Sequence, residues 1–285
     1  MNVVEAKKQI VASVVLYKHS KEDILPTLNS LLAEDLIETI VLVDNAGCGW
    51  AEQLNNPRIT YIKSDRNAGF GHGHNQAMAA FLDECRYFII CNPDIEFSPG
   101  TVKKLFDFAE QGQHRFLAPR IIYPNGEEQR VCRLLPTPAH LFLRRFVPSL
   151  SRILDKSYEL HAADYNKNFF APALSGCFMF IESGLLKQIE GFDPRYFMYL
   201  EDIDLCRKAL RYEKPIFCSG ATVTHGFAKG SYKSFKLMRY HISSAISYFN
   251  KWGWFFDPDR RKLNKKCIRE LPIIDNCREE KQDGN

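Results

Sequence analysis

The chain has 285 residues, 45% of them hydrophobic, with 38 Lys and Arg against 34 Asp and Glu for a formal charge of +4. That length and apolar content exclude a disordered tail and suit one large α/β domain or a domain with an appendage. So small a net charge gives no footing for a nucleic-acid partner, and none is expected.

Residues 10–17, IVASVVLY, are apolar almost without interruption and rich in β-branched side chains, as a parallel strand covered on both faces should be. Residues 21–33 place Ile24, Leu28, Leu31 and Leu32 on one helical face. TIVLVDN predicts a second strand stopping at Asp44 and Asn45, and RITYIKS a third. RNAGFGHGHNQA, residues 66–77, leads into a helix expected over about 71–85. RYFIICNPD predicts a fourth strand, and SPGTVKKLFDFAEQ a helix with Ser98 as N-cap and Pro99 in its first turn. Strands alternating with helices imply a parallel sheet wound by right-handed crossovers, with ligands at the carboxyl ends of the strands. Three strands end there in polar side chains, at Tyr17–Lys18, Asp44–Asn45 and Asn92–Pro93–Asp94, which locates a pocket.

After residue 115 the pattern changes. FLAPRIIYPNGEEQRVCRL reads as strand, Pro-Asn-Gly turn and strand, and a long excursion with weak helix signals follows. FFAPALSGCFMFIES returns to strand. YLEDIDLCRKALRYEK is a helix with acids at its start and bases at its end, as its dipole favours. PIFCSGATVTH is strand again, and SFKLMRYHISSAISYFNKWGW a last amphipathic helix. Residues 257–285 are charged and expected to be loosely held. The nine cysteines form no C-x-x-C pair and read as reduced thiols of a cytoplasmic protein. The N-terminus lacks the order of a signal peptide, and no segment approaches the apolar length of a membrane span, so membrane contact would be peripheral.

The glycines of RNAGFGHGHNQA miss the spacing of a dinucleotide fingerprint and follow the third strand rather than the first. They could equally let a helix start pack closely on the sheet or let backbone approach an anionic ligand. His72 and His74, two apart, do not have the spacing of a helical metal pair. Asp94 ends an apolar strand after a proline, so its carboxylate should project at the sheet's edge, where it can bind a hard divalent cation that grips a diphosphate. A turn aspartate is the plain alternative. Glu201 and Asp202 are adjacent on a helix and cannot point the same way, so one at most would face a substrate squarely.

VVLYK, IVLVDNAG, RNAGFGHGHNQAM, IICNPDIEFSPGTVKKL, APRIIYPNGEEQRVCRLLPT, LSGCFMFIES, GFDPRYFMYLEDIDLCRKAL and ATVTHGFAKGS, in this order, resemble the inverting glycosyltransferases of family 2, and most closely the rhamnosyltransferase-like branch of bacterial surface-polysaccharide and O-antigen assembly. The resemblance covers residues 10 to about 250. It implies the GT-A nucleotide-sugar-binding fold: a Rossmann-like, mostly parallel central sheet flanked by helices, with an acceptor-side insertion and a C-terminal helix. The GT-A domain would span 1–256, with a donor half of about 8–115 and an acceptor half of about 116–256, followed by the charged tail 257–285.

The same resemblance implies roles. Asp202 matches the catalytic base, with Glu201 an acceptor-positioning partner. Tyr17 and Asp44 would contact base or ribose, and Asn67, Gly69 and Gly71 would lie by the nucleotide and diphosphate, with Asn75 facing the pocket. Asn92 and Asp94 stand where the family places a D-x-D motif; the first acid is here an asparagine, leaving Asp94 the main carboxylate. His225 matches a histidine that completes the shell of a Mg²⁺ or Mn²⁺. The donor implied first is dTDP-rhamnose, with a UDP-hexose or UDP-galactofuranose as alternatives, and the acceptor a saccharide, lipid-linked in this branch. A non-catalytic sugar-nucleotide-binding subunit is the competing class, and a homodimer is compatible. HLFLRRFVPSLSRIL and KLMRYHISSAISYFNKWGWFF mix basic and aromatic residues and would either meet an anionic membrane or pack on the domain.

Overall fold

The computed structural model describes residues 8–141, 156–226 and 235–274. Strand β1 (Lys8–Leu16) leads to helix α1 (Lys21–Leu32), β2 (Ile37–Asp44), β3 (Ile59–Lys63), α2 (Phe70–Phe81) and β4 (Cys85–Cys91). A two-residue strand β5 (Ile95–Glu96), α3 (Thr101–Gly112) and β6 (Phe116–Ile122) follow. Then come β7 (Phe169–Phe170), β8 (Phe178–Glu182), α4 (Ser183–Gln188), α5 (Glu201–Ala209), β9 (Ile216–His225), α6 (Phe235–Trp252) and α7 (Pro258–Glu270).

The strands form one sheet in the order β3-β2-β1-β4-β8-β6-β9-β5, with β7 on β9. β1 to β4 are mutually parallel, β8 runs against both β4 and β6, and β9 runs with β6, so the sheet is mostly parallel as expected. Ile10 to Leu16 and Ile40 to Val43 are buried on both faces of their strands, which is why both read as continuous apolar runs. α1 opens with a reciprocal capping box between Ser20 and Asp23 and buries Ile24, Leu28 and Leu31. The eight cysteines among the described residues are all buried and unbridged.

Three local expectations are corrected. Ser98 caps no helix: Ser98-Pro99-Gly100-Thr101 is a turn with Gly100 at φ 85° and ψ −1°, the backbone of a type II turn with proline and glycine at its centre, and α3 starts at Thr101. α2 runs from Phe70 and ends at Phe81, four residues short of its expected end, where β4 needs the chain at Cys85. The hairpin after β6 closes with a single bridge, Ile122 to Glu128, because residues 128–133 turn away to line a cavity.

Residues 257–271 also differ from the expectation. Asp257 caps α7 by accepting from Arg260 N–H, and the face formed by Arg260, Asn264, Cys267 and Leu271 packs inward. Asn264 pairs with both backbone groups of Leu135, and Asp257 meets the Arg207 guanidinium at 2.6 Å with both side chains almost fully buried. Charge alone suggested a loose tail; the inward residues are spaced by fours and threes among the lysines. Most of HLFLRRFVPSLSRIL, from residue 142 to its end at 154, lies outside the described residues.

Candidate active site

Antiparallel pairing of β5 with β9 sets Ile95 opposite His225, and Gly226 N–H donates to Asp94 O at 2.9 Å. That register brings residues more than a hundred positions apart to one point: His225 Nε2 lies 3.2 Å from Asp94 Oδ1 and 3.3 Å from Asn92 Nδ2. On its other side, Gln129 Oε1 stands 2.7 Å from His225 Nδ1. An oxygen there accepts the Nδ1 proton, so the neutral ring turns its Nε2 lone pair toward the Asp94 carboxylate, while the protonated ring donates Nε2–H to it. Two acceptors in that position call for a cation or a proton between them. Partial burial pushes the Asp94 carboxyl up, but the hydrogen bond and charge of His225, with His19 beyond, hold it below its ordinary value overall. The donor set of carboxylate, imidazole and amide therefore fits a hard divalent ion whose remaining ligands come from a diphosphate. Among the described residues no cluster of three His, Cys, Asp or Glu could hold a metal by itself.

A cavity of about 700 Å³ opens on the other side of His225. Glu201 and Asp202 line it, together with Tyr123, Tyr158, Arg130 and Arg133. Its volume and its mixture of aromatic rings with a few polar groups suit a saccharide-sized ligand. Asp202 is fixed by backbone: Oδ2 accepts from Gly176 N–H at 3.1 Å and Oδ1 from Ile203 N–H at 2.8 Å. Asn92 N–H donates to Cys177 O at 2.8 Å, and the Cys177 thiol feels both Asp202 and Asp94. The Ser175–Cys177 turn thus ties the candidate base to the candidate metal site. Glu201 is buried and its Oε2 has no hydrogen-bond partner. Burial first, and the neighbouring Asp202 second, push its carboxyl up to about 8.

The two residues before this pair, Tyr199 and Leu200, both sit in the left-handed region, at φ 71° and 66°. Two consecutive non-glycine residues there store strain that the surroundings must hold. α6 grips the segment from one side: Phe197 stacks on Tyr240, and Ser244 Oγ donates to Met198 O at 2.8 Å. The glycine motif grips it from the other. Phe70 N–H donates to Phe197 O at 3.1 Å, and a Cβ on Gly69 would stand 2.1 Å from that oxygen.

This corrects what RNAGFGHGHNQA was expected to do. A Cβ on Gly71 would meet the Phe192 side chain at 2.7 Å, and one on Gly73 would meet Val15 at 2.7 Å, so these glycines close on protein rather than on an open pocket. Asn75 does not face a donor; its amide exchanges two hydrogen bonds with the Phe192 backbone, at 2.8 and 2.9 Å. Asn67 folds back on Gly69 N–H at 3.1 Å. His74 is buried against Phe70 and Phe192 with Nδ1 2.9 Å from Ser13 Oγ, and burial drives its pKa down to about 3, so it is a neutral core residue. Asp44, expected against base or ribose, is fully buried at the end of β2 with its oxygens taken by Tyr61 O–H and Ala46 N–H. Tyr17 is 43% exposed at the end of β1 and is open to a ligand.

Sequence reasoning missed Gln129, the Gly176 N–H and the wall of Tyr123, Arg130, Arg133 and Tyr158. All but Tyr158 and Gly176 lie within APRIIYPNGEEQRVCRLLPT, where one tyrosine and three arginines around a Pro-Asn-Gly turn were the available signal.

The chain is 26% identical over 202 residues to the low-salt glycan biosynthesis hexosyltransferase Agl10 of Haloferax volcanii, a match covering 70% of this chain and 61% of that protein's length. It is 26% identical over 261 residues to the N-acetylglucosaminyl-diphospho-decaprenol L-rhamnosyltransferase of Mycobacterium tuberculosis, covering 81% of each. In fold it is similar to GalNAc-T7, solved with UDP, GalNAc and Mn²⁺, at a TM-score of 0.60 and 13% identity over 93% of this chain and 56% of that one. The model of the family described as glycosyl transferase family 2 matches residues 13–178, well over half of the chain. On that match, and with the mixed α/β sheet described above, the chain belongs to glycosyl transferase family 2.

Proposed function

We propose that the protein is a metal-assisted inverting glycosyltransferase that moves L-rhamnose, from dTDP-rhamnose, to a lipid-linked saccharide acceptor. The observation that carries the reading is that His225 belongs to two places at once, meeting Asp94 at 3.2 Å and lining the cavity that Glu201 and Asp202 close. A donor diphosphate held at Asp94 would then end beside an acceptor held by the aromatic and arginine wall. Inversion is one displacement at the anomeric carbon: Asp202 takes the proton of the acceptor hydroxyl, the hydroxyl oxygen bonds to that carbon, and the nucleoside diphosphate leaves on the opposite face. Asp94 and His225, with Asn92, would hold a Mg²⁺ or Mn²⁺, which supplies positive charge where the leaving diphosphate gains negative charge. Glu201, protonated by its burial, is placed to donate a hydrogen bond to the acceptor rather than to compete as a base. Tyr17, exposed at the end of β1, would meet the base or ribose of the donor. A UDP-hexose would use the same residues. Among the described residues no helix is long and apolar enough to cross a membrane.

The test measures nucleotide release and sugar transfer with a panel of nucleotide sugars, with Mn²⁺, Mg²⁺ or a chelator. Asp202→Asn is expected to bind donor as the parent does and to lose transfer by about 10²- to 10⁴-fold, the usual contribution of a general base. Turnover like that of the parent would reject the assignment, and full activity in chelator would reject the metal site.

A further inference from the structure

The turn between α6 and α7 carries two phenylalanines that cover nothing. Phe255 is 73% and Phe256 92% exposed, beside Trp254. The turn is nonetheless pinned: Gly253 at φ 101° lets the backbone double back so closely that a Cβ there would be 2.6 Å from Phe256 O, and the next residue, Asp257, is anchored by buried Arg207. It is a fixed prominence.

α7 continues the same surface. With its inward face occupied by Arg260, Asn264 and Cys267, the outward positions fall in two adjacent stripes: Arg261, Lys265 and Ile268, and Lys262, Lys266 and Arg269. Lys214 from the neighbouring loop crowds against Lys266. Of the two acids on α7, Glu270 is paired with Lys214 at 3.2 Å, so the stripes keep a strong positive excess. Phe255, Arg261, Lys265 and Ile268 also rim an apolar groove of about 460 Å³ floored by Leu134 and Pro138. Aromatic tips beside a row of basic side chains match the headgroup boundary of a negatively charged bilayer.

The groove and the acceptor cavity share a wall. Arg133 and Leu141 line the cavity, while Leu134, Thr137 and Pro138, from the same segment, line the groove. We propose that the 253–256 turn and the outward face of α7 form the docking surface for an anionic lipid bilayer, seating the acceptor cavity against the membrane. The orientation rests on the reading that the acceptor is lipid-linked; the surface itself does not. Of the expected stretch KLMRYHISSAISYFNKWGWFF it keeps only the end, residues 253–256, because α6 turns Ser244, Ala245, Tyr248 and Phe249 into the domain.

The experiment is flotation of the full chain with vesicles of phosphatidylcholine, with or without phosphatidylglycerol. The chain is expected to float with the anionic vesicles, to be released by added salt, and to stay at the bottom of the gradient with phosphatidylcholine alone. Each basic contact is worth about five-fold in partition, so Arg261→Glu with Lys265→Glu should lower it by well over ten-fold. Phe255→Ser with Phe256→Ser should lower it by about ten-fold or more. The altered side chains are exposed, so both variants should melt with the parent. Failure of the parent to float with anionic vesicles overturns the proposal, as does flotation of both variants at parental level. So does a finding that the aromatic variant instead turns a dimer into a monomer by light scattering. Flotation needs neither donor nor turnover: a chain that floats but transfers no sugar sinks the proposed function alone, and an active chain that never floats sinks this surface alone.

Discussion

Alanine at Gly69 would meet two separate penalties that can be read from the backbone. At φ 108° and ψ 176° the residue occupies a region that glycine alone enters freely, and a side chain there carries about 1–3 kcal/mol of strain. Its Cβ would also lie 2.1 Å from Phe197 O and 2.8 Å from Phe197 Cα, so a backbone segment rather than a side-chain tip must move. Overpacking of that kind costs about 1–3 kcal/mol more. The sum, about 2–6 kcal/mol, converts at roughly 2–4 °C per kcal/mol to a fall in Tm on the order of 10 °C. Gly126→Ala is the matched control, since Gly126 has φ 83° but nothing within 4 Å of the added carbon, leaving about 1 kcal/mol of strain. Thermal unfolding followed by circular dichroism compares the two, and isothermal titration with donor below the transition reads the pocket. Gly69→Ala is expected to melt well below Gly126→Ala, with donor affinity nearly kept and transfer reduced, because the displaced segment leads into Glu201 and Asp202. Equal melting of the two variants would refute the close-packing account of the glycine motif.

Asp257→Ala should cost about 3–5 kcal/mol in urea unfolding, since it strands the Arg207 guanidinium, which is only 4% exposed, and removes the cap of α7. Adding Arg207→Met should recover much of the loss; no recovery would show that the cap alone matters. Glu201→Gln should flatten a pH dependence. The fold keeps a proton on Glu201 that the unfolded chain gives up near the ordinary glutamate value of about 4.3, so the native state binds more protons in this window. The stability that this group contributes is therefore full below that value and is lost as pH rises towards about 8. Urea midpoints should fall across the window in the parent and less steeply in the variant; parallel profiles would reject the raised pKa.

The donor half was legible because its signals are local. Unbroken apolar runs placed β1, β2 and β4, and their polar ends placed Asp94 and Asn92 at the carboxyl edge. Long-range pairing decided the rest. Nothing near His225 in the sequence says that it opposes Ile95, or that Gln129, 96 positions away, will set its tautomer. The left-handed Tyr199 and Leu200 carry no sequence mark at all, since tertiary contacts with Phe70 and α6 enforce them against local preference. Asn75 and Asp44 misled because a polar side chain at a strand or helix end suits a buried backbone partner as well as a ligand. The inward face of α7 was hidden by composition, as its periodicity is carried by arginine, asparagine and cysteine rather than by leucine.

The buried cysteines make the protein its own stopwatch for opening. A thiol reagent reaches none of the eight described sulfurs in the closed fold, and burial pushes the thiols of Cys177 and Cys267 up to about 12, which removes the reactive thiolate as well. Labelling therefore proceeds only through excursions that expose a given sulfur, and the site modified names the excursion. Cys177 lies in the turn joining Asp94 to Asp202, so its labelling rate follows opening of the reaction centre and slows with any ligand that closes it. Cys267 faces Phe170 from α7, so its rate follows undocking of the C-terminal helix. Two sulfurs read by mass spectrometry thus time two motions separately, with no probe added to the chain.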